Sequence, residues 1–179
     1  MSFLDTCIQD NIPIWRSCLD TEFLRGMADG TLDETCFKGY IVDDSLYLRE
    51  YTKVFAWGIL HATDVEEIRV YYSLLSFVNE AENSTRRYYL KRYALRDEDI
   101  QKMPLRPENQ AYVNYMLSMA RDGEGAAECM MAVLPCMLSY GWIFGEMLRT
   151  CPQVQNGPYE RFVSDYAGNR YDDCCKEWS

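Results

Sequence analysis

Apolar positions in this chain recur every three or four residues, and no stretch alternates strictly between apolar and polar. Phe37, Tyr40, Ile41, Asp44, Tyr47, Leu48, Tyr51 and Phe55 fall on one stripe, the spacing of a helix with one face against a core. Thr31 or Asp33 would cap this helix, which is predicted to end near His61. Thr63 or Asp64 would cap the next, with Glu66 and Glu67 in its first turn, where the helix dipole favours acids; it is predicted to reach Ala94. A first helix is predicted from Pro13, a good first-turn residue, to Met27, with the turn at Asp29-Gly30-Thr31. Pro104 and Pro107 interrupt the pattern before a helix over Glu108–Arg121. A last helix is expected from near Tyr159 to the chain end. The predicted class is all-α, a helical bundle forming one domain over residues 1–179.

Between Glu128 and Glu146 lie seventeen residues without a charge, Cys129–Gly145. A helix apolar all round belongs at the centre of a protein or in a membrane. This stretch is shorter than the ~20 residues that cross a bilayer, and its flanks are acidic where a membrane span prefers basic ones. A central core helix is the expectation. Pro135 should bend it near Met131–Pro135, leaving Cys136 at the inside of the bend. Two roles suit that thiol. One is plain packing, since free cysteine is commonly buried; the other is a nucleophile in a pocket opened by the bend.

A net charge of −10 argues against nucleic acid and anionic membrane surfaces as partners. The N-terminal MSFLDTCIQDNIPIW has no basic segment followed by an apolar run, so no signal peptide is read there. Eight cysteines without such a leader fit reduced thiols in the cytoplasm better than a disulfide framework. No CxxC pair occurs, and His61 is the one histidine. Metal is therefore not indicated, and no cofactor is expected.

Asp44 is the one charge on the inward stripe, and a carboxylate there must be paired or hydrogen-bonded. A structural acid bonded to tyrosines or an arginine satisfies that demand, and so does a ligand-binding acid. Asp43, about 100° round the helix, is expected to face solvent. Fourteen tyrosines are many for this length. Tyr47, Tyr112, Tyr140 and Tyr166 fall on predicted inner faces, where rigid rings with polar tips suit a flat polar heterocycle. Tyr140 follows Cys136 by one helical turn and shares its face. Glu80 and Glu82 with Arg86 and Arg87 read as helix-surface ion pairs. His61 reads as a helix-end cation suited to the dipole.

The run Asp29-Gly30-Thr31-Leu32, then Phe37, Tyr40, Asp44-Ser45 and Tyr47-Leu48, continues in Leu134-Pro135-Cys136 with Tyr140, and in Pro158-Tyr159, Phe162 and Tyr166-Ala167. These blocks, spread over nearly the whole chain, resemble the TenA/thiaminase II family. The resemblance implies the haem-oxygenase-like α bundle. It also implies hydrolysis of 4-amino-5-aminomethyl-2-methylpyrimidine, or of thiamine, to the 5-hydroxymethyl pyrimidine for thiamine salvage, in a homotetramer.

By the same resemblance Cys136 is the nucleophile and Asp44 the acid that holds the aminopyrimidine edge, making the ring a better electron acceptor. Tyr47, Tyr112, Tyr140 and Tyr166 are the pocket tyrosines. Asp44 and the Cys136 sulfur are expected to line one cavity. Two features depart from the pattern. The family's final-helix glutamate, the general acid for the leaving group, has no counterpart among these residues; Glu177 comes too soon after Tyr166. The family's histidine-proline in the first helix is replaced by Thr21-Glu22-Phe23. A non-catalytic pyrimidine- or thiamine-binding protein on the same scaffold is the alternative that the missing glutamate favours.

Overall fold

The starts of several helices in this chain are set by side chains that cap them. The computed structural model describes residues 2–79, 83–168, 171 and 173. Ser2 caps α1 (Phe3–Leu19), its hydroxyl accepting from the Asp5 N–H while the Asp5 carboxylate accepts from the Ser2 N–H, a reciprocal capping box. Pro13 lies inside α1 and not at a helix start as predicted. The chain instead breaks at Asp20 and restarts at α2 (Glu22–Asp29), because the Thr21 hydroxyl accepts from the Leu24 N–H and supplies an N-cap. Gly30 ends α2 with φ of 72°, a left-handed cap that glycine adopts without strain.

The long helix α3 (Glu34–His61) has the predicted length, with Asp33 accepting from the Thr35 N–H at 2.6 Å. Asp64 caps α4 (Val65–Phe77), accepting from the N–H groups of Glu66 and Glu67. Next come α5 (Asn83–Arg92) and the short α6 (Asp97–Ile100). Helix α7 (Pro107–Asp122) carries Pro107 in its first turn, where its missing N–H costs nothing. Helix α8 (Ala126–Thr150) runs unbroken through Pro135. A 3-10 turn (Pro152–Asn156) leads to α9 (Glu160–Ala167). No strand occurs among the described residues.

The chain divides into two compact units, Met1–Cys36 with Cys136–Ser179, and Phe37–Pro135. In the first, α2 and α9 pack on the 3-10 turn. Trp15 meets Trp142 with centroids 6.1 Å apart, and the Tyr159 hydroxyl donates to the Leu32 carbonyl at 2.8 Å. In the second, α3 buries Phe37, Ile41, Tyr47, Leu48, Tyr51 and Phe55 as its stripe predicts, and Leu46, Val54 and Gly58 besides. Gly58 is required by close approach: a Cβ there would lie 2.2 Å from the Tyr71 ring.

Helix α8 departs from the prediction of burial all round. Cys129, Ala132, Val133, Leu134 and Met137 are buried, whereas Ala127, Met131 and Pro135 are exposed. Four-residue spacing puts those three on one line of the helix. Pro135 therefore stands on the exposed side, and it leaves the carbonyl of Met131, also exposed, without its helical donor. The helix is long and apolar enough to cross a membrane by length and composition, with 39% of its most apolar window buried.

Candidate active site

Within Phe37–Pro135 the candidate site is a turn of α3 held by charges. Asp44 is half-buried, and its carboxyl is desolvated. No hydrogen bond from another described residue reaches it. Burial pushes its pKa up to about 7; the Arg86 guanidinium opposes that rise, and the neighbouring Asp43 carboxylate adds to it. Asp43 does not face open solvent as expected. Its carboxylate accepts from Arg106 Nε at 2.8 Å, and its carbonyl accepts from Asn109 Nδ2 at 3.0 Å, because the start of α7 covers that side of α3. Burial nonetheless keeps the Asp43 carboxyl above the usual carboxylate range, against the pull of Arg106.

On the other side of Asp44, Ser45 is fully buried. Its hydroxyl donates to the Ile41 carbonyl at 2.7 Å and accepts from Arg86 Nε at 2.8 Å. Arg86 also pairs with Asp97, and only 12% of its side chain is exposed. Arg86 is thus mostly buried while its partner Asp97 is half-exposed; Glu80 and Glu82, the acids of the expected ion pair, lie outside the described residues. An open cleft of about 410 Å³ is lined by Ser45, Arg49, Thr52, Arg86, Asp97 and Gln101 among others. Neither Asp44 nor any candidate tyrosine lines it.

The aromatic wall of this unit is Tyr47 and Tyr112, stacked at 5.9 Å and 11°. The Tyr47 hydroxyl donates to Met116 Sδ at 3.7 Å and that of Tyr112 to the Ala132 carbonyl at 3.2 Å. Tyr51 continues the wall 5.2 Å from Tyr47. Glu50, also buried, was not singled out by the stripe. Burial pushes its carboxyl up, but bonds from Lys53 and Arg49 at 2.6 and 2.7 Å prevail and hold it low. His61 stacks on Trp57 at 5.9 Å, its Nε2 2.8 Å from the Ala120 carbonyl in the last turn of α7.

The other candidate residues, Cys136, Tyr140 and Tyr166, belong to the first unit. Cys136 is half-buried. Its carbonyl accepts from the Ser139 hydroxyl at 3.0 Å. Tyr140 meets Tyr166 edge-on at 5.2 Å and 64°, and Phe144 and Phe162 complete the cluster. Tyr171, not singled out from sequence, joins it 5.3 Å from Tyr166 and donates to the Met137 carbonyl at 3.1 Å. No periodic signal marks Tyr171, since five residues from Tyr166 is not a same-face spacing. Cys129 offers a contrast: it is fully buried, its thiol lies 3.8 Å from the Ala120 carbonyl, and burial raises its pKa. Glu177, Cys174 and Cys175 lie outside the described residues.

The sequence matches the model of the TENA/THI-4/PQQC family over residues 9–179. The chain belongs to that family. It is 30% identical over 172 residues to the aminopyrimidine aminohydrolase of Halalkalibacterium halodurans, covering 96% of this chain and 76% of that protein. The aminopyrimidine aminohydrolase of Helicobacter pylori is 27% identical, over 93% of this chain and 76% of its own length. The chain thus spans about three quarters of these TENA/THI-4/PQQC relatives. A TenA homologue from P. horikoshii superposes with a TM-score of 0.85 at 24% identity, covering 99% of this chain and 83% of that one. The fold is accordingly the all-α, haem-oxygenase-like bundle of TenA proteins.

Proposed function

We propose that this thiamine-salvage hydrolase converts 4-amino-5-aminomethyl-2-methylpyrimidine to the 5-hydroxymethyl pyrimidine, with Cys136 as nucleophile. The observation that carries the reading is Asp44: a desolvated carboxyl with a pKa of about 7, one helical turn before Tyr47 of the stacked pair, in a chain whose relatives are named for this reaction. An aminopyrimidine edge offers one N–H donor beside one ring-nitrogen acceptor. A carboxyl carrying one shared proton meets both, and near-neutral pKa lets that proton pass to the ring. A protonated ring is the better electron acceptor.

The Cys136 thiolate then adds to an electron-poor ring carbon. The exocyclic C–N bond breaks and ammonia leaves; water forms the new C–O bond at the methylene; the C–S bond breaks and returns the thiolate. Tyr47, Tyr112, Tyr140 and Tyr166 stack on or hydrogen-bond the ring. Eight cysteines in a chain of this size suit a cytoplasmic setting, where thiols are kept reduced. Exposed apolar Leu60, Val65 and Met131 suit assembly into a homotetramer.

Incubating the pure protein with the aminopyrimidine, or with thiamine, and following product by chromatography tests the reading. Turnover of the aminopyrimidine that Cys136→Ser abolishes supports it. Tight binding without turnover would establish the pyrimidine-binding alternative in its place.

A further inference from the structure

Three consecutive residues of α3 are treated very differently by their surroundings. Asp43 is bonded to Arg106, Ser45 to Arg86, and Asp44 between them has no such bond. Among the described residues Arg86 is anchored by Nε on the buried Ser45 hydroxyl and by a terminal nitrogen on Asp97. Ser45 is itself fixed, because its proton goes to the Ile41 carbonyl, leaving its oxygen free to accept from Arg86. A long flexible cation is thereby held with one side against the chain neighbour of Asp44.

We propose that Arg86 is a positioning residue for the reaction, a fixed positive charge whose anchorage on Ser45 and Asp97 sets how readily Asp44 gives its proton to the substrate ring. This inference rests on the reading of Asp44 as the acid that holds the pyrimidine edge. Arg86 is the group that pulls the Asp44 pKa down against burial. Among the described residues, Asp43 pushes it up, Arg106 neutralises Asp43 in part, and Asp97 offsets Arg86. The Tyr47 and Tyr112 hydroxyls are committed elsewhere, to Met116 and Ala132. Without Arg86 the carboxyl would keep its proton to higher pH. Substrate would still bind, but its ring would be less activated.

The test is the pH dependence of binding of the product, the 5-hydroxymethyl pyrimidine, measured by calorimetry on the full chain. Neutral ligand needs the Asp44 proton, so affinity should decline on the alkaline side of about pH 7. In Arg86→Gln that alkaline limb should move up by roughly one pH unit, making binding at pH 9 about tenfold tighter, while kcat falls about fivefold. Arg86→Lys, which keeps the charge, should restore the limb. Asp97→Asn is an exposed substitution that spares the fold. It leaves Arg86 less neutralised and should move the limb the opposite way, by roughly half a pH unit.

Opposed shifts in the two variants support the inference, and a limb that moves in neither overturns it. Carbon-13 titration of the Asp44 carboxyl in ligand-free protein separates this outcome from failure of the functional reading. If Arg86→Gln raises that titration while Asp44→Asn leaves ligand binding and its limb untouched, Arg86 governs Asp44 but Asp44 does not hold the pyrimidine. An Asp44 titration indifferent to Arg86 removes the inference by itself.

Discussion

The turn around Asp44 and the cluster around Cys136 are built on different physics. Asp44 sits among charges, with Asp43, Arg86, Arg106 and Asp97 acting directly or through one another. Cys136 stands one turn before Tyr140 in a set of edge-to-face rings, Tyr140, Phe144, Phe162, Tyr166 and Tyr171. Coulombic interactions reach several ångströms and respond to pH and salt. Ring packing acts at contact and is insensitive to both. The first region can therefore be retuned by a surface charge without moving an atom of the site. The second changes only when its shape does.

The sharpest break between the two regions is chemical. Cys136→Ser keeps the shape of its surroundings and should leave product binding nearly intact, yet lower turnover by at least about a hundredfold, since serine is almost wholly un-ionised near neutral pH. Limited iodoacetamide labelling read by mass spectrometry should find Cys136 ahead of the buried Cys129, with bound pyrimidine protecting Cys136. A Cys136 that labels after Cys129 would leave it a packing residue.

Shape is tested next. Phe162 is 1% exposed, and Phe162→Ala should cost about 3–5 kcal/mol in urea unfolding, with little dependence on pH. A cost that varied strongly with pH would erase the distinction drawn here.

Asp44→Asn should do the reverse and stabilise. A carboxyl whose folded-state pKa lies above its unfolded value weakens the fold as pH rises from the ordinary carboxylate range to about 7, and the loss is complete above that. The amide carries no such burden. It should add about 1–3 kcal/mol at pH 8, after allowance for solvent near the group, and nothing by pH 3. The same variant should bind the aminopyrimidine about 1–2 kcal/mol less tightly, as charge-assisted bonds become neutral ones. Calorimetric melts and titrations at both pH values check the two signs together.

The smallest effect belongs to the exposed partner. Arg106 is 66% exposed, and Arg106→Ala should alter stability by less than about 1 kcal/mol. It should nevertheless raise the pH at which Asp44 titrates, because Asp43 would then stand unneutralised beside it.

The residues of the two regions were unequally legible in the sequence. The α3 stripe, its length and the charge set into it follow from local spacing, and all are found in the structure. Rings four residues apart on α8 are equally local. Arg86 was not legible, because its anchor on Ser45 lies 41 residues away, and nothing in the order Arg86-Arg87 says which one turns inward. The start of α1 differs from its prediction for another reason. Pro13 suits a first turn, but the Ser2 capping box outweighs it and carries the helix through the proline. Composition likewise could not separate the two sides of α8, since Ala127, Met131 and Pro135 are as apolar as the residues that are buried.

The three successive side chains Asp43, Asp44 and Ser45 leave α3 about 100° apart and serve three different ends. Their assignments depend on counting along the helix. Adding or deleting a single residue between Phe37 and Asp43 would rotate all three at once. Arg86 would then meet Leu46 after a deletion or Asp44 after an insertion, neither with a hydroxyl; the deletion would also put Ser45 in the place of Asp44, and the insertion would put Val42 before Arg106. Single-residue gaps should consequently be absent from this turn in any working descendant of the chain, while the connections before α6 and after α8 remain free to lengthen.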